Sequence, residues 1–115
     1  MRGFFRKCSN NVFALIDSER LAAAAPLDAV REAFKQTCQS VGIECHVLER
    51  RATENYLTDA AIKTVKGNRY RMLGPYQELK KAALPWAKSE NWRIAREMSF
   101  DDIKDTDLGK FLASL

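Results

Sequence analysis

The pattern of apolar and polar residues in the first half of the chain predicts a strand, an amphipathic helix and a second strand. An unbroken apolar run at 12–16 is typical of a strand buried on both faces of a parallel sheet. Between 27 and 41, apolar residues recur at the i, i+3, i+4, i+7 spacing of a helix, with Asp28 in its first turn and Gly42 just past its end. The alternation at 43–48 predicts the second strand. Short connections then favour a right-handed βαβ unit with parallel strands.

The second half of the chain is predicted to be mostly helical. Thr58 suits the N-cap of a helix that Gly67 would end, and Thr106 suits the N-cap of a last helix. Pro75 predicts the first turn of a helix through 79–83, and Ser89 could cap a further one. The predicted fold class is therefore α/β: a βαβ unit followed by a mostly helical C-terminal half, in a single small domain spanning 1–115.

Charged residues follow both predicted strands. Asp17 and Glu19 come directly after the first strand, and Arg50, Arg51 and Glu54 come after the second. Parallel strands end at the same edge of a sheet, where open α/β folds bind their ligands. Two carboxylates at i and i+2 can face one divalent cation, because Mg²⁺ prefers oxygen ligands. The alternative is a solvated strand end, since acidic residues often simply terminate strands.

Composition limits the possible classes of protein. The 115 residues, 46% of them hydrophobic, can form one modest core. No run approaches the roughly 18–20 apolar residues of a membrane helix, and the basic start at 1–7 lacks the apolar segment of a signal peptide. Cys8, Cys38 and Cys45 lack the spacing of zinc ligands and are predicted to be reduced. We therefore predict a cytoplasmic protein without a membrane partner.

The net charge of +4 permits a nucleic-acid partner, DNA or RNA. Lys63, Lys66 and Arg69 lie close together in the sequence and could contact phosphates through charge alone. A solvated helix face that binds no ligand is the alternative. His46, the single histidine, has no nucleophile motif around it and is predicted to be structural.

Two segments resemble a known family. The first is F-A-L-I-D-S-E, and the second, after the predicted helix, is H-V-L-E-R-R-A-T-E-N-Y-L. Together they are similar to the later part of a Toprim domain, in the variety found in OLD-type nucleases and related phage-defence proteins. In that family a strand ends in an acidic pair that binds Mg²⁺, and a later strand runs into a stretch of the form R-x-x-E-N-Y.

The resemblance implies roles for individual residues. Asp17 and Glu19 match the acidic pair and, with Glu54, would bind Mg²⁺ or Mn²⁺. Arg50 and Arg51 match the second stretch and would bind phosphate, in addition to Lys63, Lys66 and Arg69, which are candidates on charge alone. Lys88, in W-A-K-S-E-N-W-R-I-A, matches a lysine that the family carries before a late helix, so the implied catalytic set is Asp17, Glu19, Glu54 and Lys88. The implied function is metal-dependent phosphodiester hydrolysis in phage defence, by the whole or one half of a catalytic unit; a non-catalytic module that binds a nucleic acid or a protein is the alternative.

The N-terminal segment departs from the family pattern. A full Toprim domain places a glutamate-bearing strand, a helix and another strand before the acidic pair, and residues 1–11 are too few for that unit. The apolar run at 12–16 would also need cover that one helix cannot supply, because a two-stranded sheet has open edges and is marginal alone. Either Phe4 and Phe5 contribute an extra N-terminal element, or another chain completes the sheet. We therefore expect a homodimer or a missing partner domain that completes the sheet.

Overall fold

A βαβ unit forms the first part of the protein. In the computed structural model, which describes residues 12–115, strand β1 (Phe13–Ile16) pairs with strand β2 (Glu44–Val47) in parallel. The register runs from Phe13 opposite Glu44 to Ile16 opposite Val47. Helix α1 (Ala29–Ser40) connects the two strands. The predicted βαβ unit is therefore confirmed, whereas the predictions for Phe4, Phe5 and Cys8 concern residues outside the described range.

The βαβ unit is less buried than the sequence predicted. Helix α1 begins after Asp28, whose carboxylate accepts the Arg31 N–H at 2.8 Å, two residues later than the apolar pattern indicated. Of the helix only Cys38 is buried, and Val30 and Phe34 remain exposed. The prediction that β1 is buried on both faces is wrong, since Phe13 and Leu15 are 41% and 39% exposed. Within residues 12–115 the sheet has two strands and a single crossover helix, too little to cover both faces.

The C-terminal half is helical but is built from short pieces. Its α-helices are α2 (Asp59–Lys66), α3 (Asn91–Ala95) and α4 (Asp107–Ala113), and its 3₁₀ turns are Thr53–Tyr56, Leu79–Lys81, Lys88–Glu90 and Phe100–Asp102. The predicted caps are confirmed: the Thr58 hydroxyl accepts the Ala61 N–H at 3.3 Å, and the Thr106 hydroxyl accepts the Gly109 N–H at 3.1 Å. The helix predicted after Pro75 is wrong, because only one 3₁₀ turn forms there. Ser89 lies inside a 3₁₀ turn rather than capping a helix.

The main hydrophobic core lies in this half and not under the sheet. Its buried members come from α2, α3, the segment between them and the residues just before α2: Leu57, Ala61, Ile62, Leu73, Leu79, Trp86 and Ile94. Ile62 and Ile94 are fully buried, and each such aliphatic side chain stabilises the fold by about 1.5–3 kcal/mol. Within the described part of the chain, no helix has the length and apolar character needed to cross a membrane.

Candidate functional site

The turn after β1 is fastened to the segment after β2. Ser18 is buried and its hydroxyl donates to the Arg50 carbonyl at 2.8 Å, while the Glu19 N–H donates to the Arg51 carbonyl at 2.8 Å. Glu19 has a φ of 56°, in the left-handed region that a residue with a side chain adopts only where its surroundings require it. These bonds hold the two strand ends against each other, as their parallel direction predicted.

Asp17 lies at the end of β1 beside two other carboxylates. Its Oδ1 accepts the Thr53 N–H at 3.2 Å, which ties it to the 3₁₀ turn that carries Glu54. Burial raises the pKa of Asp17, and the charges of Glu54 and Glu19 raise it further, against the lowering effects of the Thr53 N–H and the Lys88 ammonium. Asp17, Glu19 and Glu54, here called the acidic edge, are therefore close enough to repel one another.

Glu19 is held by arginines. Arg51 reaches the Glu19 carboxylate at 2.8 Å with Nη2 and the Glu19 carbonyl at 2.7 Å with Nη1. The same Nη2 lies 3.1 Å from Glu78, and Arg31 approaches Glu19 at 3.6 Å. The side chain of Arg51, which was predicted to bind phosphate, is only 15% exposed, and its Nη1 and Nη2 groups already contact Glu19 and Glu78. In this arrangement Arg51 positions Glu19, and Glu78 is a member of the site that sequence analysis missed.

Glu54 is buried and is paired with Lys88. Its carboxylate lies 3.3 Å from the Lys88 ammonium and accepts the Asn91 amide at 3.3 Å. The Lys88 side chain is 62% exposed, so it can reach a ligand in solvent as well as Glu54. The two residues are 34 positions apart in the sequence, and the fold brings their side chains together.

A cavity of about 250 Å³ separates the acidic edge from the core. Three carboxylates and three cations line it, with two core side chains at its base: Glu19, Glu54, Glu78, Arg51, Lys80, Lys88, Leu79 and Trp86. No group of three or more His, Cys, Asp or Glu side chains within residues 12–115 is arranged to hold a metal ion. Asp17, Glu19 and Glu54, predicted to bind one metal ion together, therefore do not form such a group in this structure.

The last two residues of the R-x-x-E-N-Y stretch have structural partners. The side chain of buried Asn55 accepts the Ala52 N–H at 3.1 Å and donates to the carbonyls of Gly74 and Gln77 at 2.8 and 2.9 Å. The Tyr56 hydroxyl donates to Asp107 at 2.6 Å. The stretch thus fastens the 74–77 turn and helix α4 around the segment that carries Glu54.

The remaining residues predicted to bind phosphate are spread over the surface. Arg50 lies 4.7 Å above the Tyr56 ring and donates to the Asn55 carbonyl. Lys63 pairs with Asp59 at 2.6 Å and Lys66 with Glu90 at 2.8 Å, whereas Arg69 is exposed and forms no salt bridge within the described residues. Lys63 is therefore paired within helix α2 and Lys66 is paired with the 88–90 turn, so two of the three residues of the basic cluster are already in ion pairs.

His46 belongs to a second cluster that sequence analysis did not find. Its Nε2 lies 2.8 Å from Asp107, which also accepts the Glu49 N–H at 2.9 Å. Burial raises the pKa of Asp107, but hydrogen bonds from Tyr56, the Glu49 N–H and His46 outweigh it and hold that pKa below its usual range. The same burial and the bond to Asp107 raise the pKa of Tyr56. The cluster joins β2 to α4, in line with the predicted structural role of His46.

Comparisons of the chain with protein-family models, with curated proteins and with solved structures find no match in any of the three.

Proposed function

We propose that the protein is a Toprim-like, Mg²⁺-dependent phosphodiester hydrolase, or the catalytic half of one, acting on DNA or RNA. The observation that carries the proposal is the convergence of Asp17, Glu54 and Lys88 at the carboxyl edge of a parallel sheet. Catalytic sites often gather carboxylates whose mutual repulsion raises a pKa. A divalent cation beside Asp17 would relieve that repulsion.

Each residue of the site has a distinct task in this proposal. Asp17 and Glu54 would hold Mg²⁺ or Mn²⁺, which when bound activates water and offsets charge on a phosphate. Glu19 would take part as a further acidic group, with Arg51 fixing its position through the 2.8 Å ion pair. Lys88, largely exposed, would turn from Glu54 to a phosphate oxygen as the substrate arrives. We place this activity in the cytoplasm, because Cys38 and Cys45 are free thiols. Its place in phage defence rests on the resemblance to OLD-type nucleases alone.

The first test is metal binding by titration calorimetry with Mg²⁺ and Mn²⁺. Asp17→Asn keeps an oxygen that can accept the Thr53 N–H but removes the charge, so the fold should persist while binding is lost. Glu97→Gln is the matched control, because Glu97 is an exposed carboxylate outside the acidic edge. Cleavage of DNA and RNA that requires metal, Asp17 and Lys88 would support the proposal. A folded parent chain that binds neither metal would refute it.

A non-catalytic module that binds a nucleic acid or a protein is the second candidate. It is favoured by the pairing of Glu19 with Arg51 and of Glu54 with Lys88, which already neutralises two of the three carboxylates. This candidate predicts nucleic-acid or protein binding that EDTA leaves unchanged and no cleavage when Mg²⁺ is supplied. Both candidate functions are compatible with a homodimer or with a separate domain that completes the sheet, because the apolar residues of β1 and α1 are exposed whichever function holds.

A further inference from the structure

An apolar groove lies beside the 3₁₀ turn that carries Glu54, since Thr53 and Tyr56 of that turn line it. It encloses about 500 Å³, and its main apolar walls are Leu57, Trp92, Met98, Phe100, Ile103 and Leu108. Trp92 and Phe100 are 60% and 49% exposed, so two large aromatic side chains are accessible to solvent in one place. Exposed apolar surface gathered in this way commonly marks a binding site.

The groove is continuous with the acidic edge. Thr53 and Asn91 both line it, and each is bonded to one of the carboxylates. The Thr53 N–H donates to Asp17 at 3.2 Å, and the Asn91 amide donates to Glu54 at 3.3 Å. A group seated in the groove would therefore lie one hydrogen-bonded residue away from the proposed hydrolytic centre.

Positive charge borders the groove on the side of Trp92. The Arg96 guanidinium lies 5.1 Å above the Trp92 ring and makes no salt bridge within residues 12–115. The Lys88 ammonium lies 3.3 Å from the same Glu54 carboxylate that Asn91 contacts. Asp101 and Asp102 follow Phe100 at the other end, where they would repel an anion. The groove thus matches a flat apolar group whose negative charge points toward Arg96 and Lys88.

We propose that the groove binds a base of a single-stranded nucleic acid, stacked on Trp92, with its phosphate held by Arg96 and Lys88. This inference rests on the proposed function and narrows its substrate class to single strands. A base inside a duplex is paired and stacked, and its face is not available to a side chain. Stacking on an aromatic ring accepts every base, so recognition should depend little on sequence.

The test is fluorescence anisotropy with labelled oligonucleotides of DNA and RNA, as single strands and as hairpin duplexes, in EDTA. We expect single strands to bind more tightly than duplexes and to quench Trp92 emission. Trp92→Ala should weaken binding about 5- to 100-fold, the range of loss when one stacking side chain is removed. Trp92→Phe should retain most of the parent's affinity, and Arg96→Gln should reduce both the affinity and its dependence on salt.

Two variants outside the groove serve as controls. Met72→Ala removes an exposed apolar side chain and Arg71→Gln removes an exposed cation, and both should leave the dissociation constant unchanged. Three results would each overturn the proposal. They are duplex binding as tight as or tighter than single-strand binding, tight binding of a free mononucleotide only, and an unchanged dissociation constant for Trp92→Ala. Binding is measured in EDTA and so does not depend on metal; Trp92-dependent binding without cleavage when Mg²⁺ is supplied would count against the hydrolase alone. Metal-dependent cleavage without Trp92-dependent binding would count against the groove alone.

Discussion

Gly109, in the first turns of α4, offers a test in which local and tertiary effects have opposite signs. In an isolated helix, replacing glycine by alanine stabilises by about 1 kcal/mol, because alanine loses less backbone entropy on folding. In this fold an added Cβ would lie 1.9 Å from the Ile103 carbonyl oxygen, 2.6 Å from its carbon and 2.8 Å from the Lys104 Cα. All three are backbone atoms, so no side-chain rotation can relieve the contact.

The magnitude follows from these two terms. Forcing one carbon into a closed contact costs roughly 1–3 kcal/mol, and the upper part of this range, about 2–3 kcal/mol, applies here because backbone must move. After the gain in helix propensity, we expect Gly109→Ala to lower the free energy of unfolding by about 1–2 kcal/mol, with a fall in Tm of roughly 4 °C for each kcal/mol. Displacing α4 would also loosen Asp107 from His46 and Tyr56, because Asp107 begins that helix.

Urea unfolding followed by tryptophan fluorescence measures this change. Gly74→Ala is the matched control, because an added Cβ there meets only Gln77 atoms at 3.9 Å, an ordinary contact. We expect the control to stay within about 0.5 kcal/mol of the parent. A Gly109→Ala protein as stable as the parent, or more stable, would refute the close approach of α4 to the 103–104 backbone.

Three further predictions concern stability, pH and association. The pKa of Asp107 is lowered in the fold, so its contribution should be complete above its ordinary value of 3.8 and disappear as the pH falls below it. Asp107→Asn should cost about 1.5–3 kcal/mol at pH 7 and flatten the acid limb of a stability–pH curve, and an unchanged limb would contradict this. Asn55→Ala should cost about 1–3 kcal/mol in urea unfolding, because it unpairs buried backbone groups, and a neutral result would contradict the clamp on the 74–77 turn. Sedimentation should detect a homodimer that Phe34→Asp dissociates, since Phe34 and Leu15 are exposed beside the open sheet, and a monomeric parent protein would refute self-association through this face.

The sequence alone determined those elements whose bonds close within a few residues. The apolar period of α1, the N-caps Thr58 and Thr106 and the stop at Gly67 all depend on bonds between neighbours in the chain. Parallel pairing of β1 with β2 followed as well, because a short helical connection leaves few alternatives. For the same reason Asp17, Glu19 and the residues after β2 could be predicted to share one edge.

Tertiary structure decided what happens where distant segments compete for the same groups. The helix expected after Pro75 does not form, because Asn55 takes the carbonyls of Gly74 and Gln77, and the Gly74 N–H turns to the Gln77 side chain. A local pattern contains no information about a partner about 20 residues away.

The same limit applies to the charged residues. Arg51 pairs with both Glu19 and Glu78, and Asp107 contacts His46 across 61 positions. These pairings depend on how the chain returns to the sheet. The cost of leaving buried charges unpaired makes such pairings compulsory once the fold brings the groups together. Residue type and spacing showed where charge emerges from the strands, and only the packed structure determined which of those charges neutralise one another.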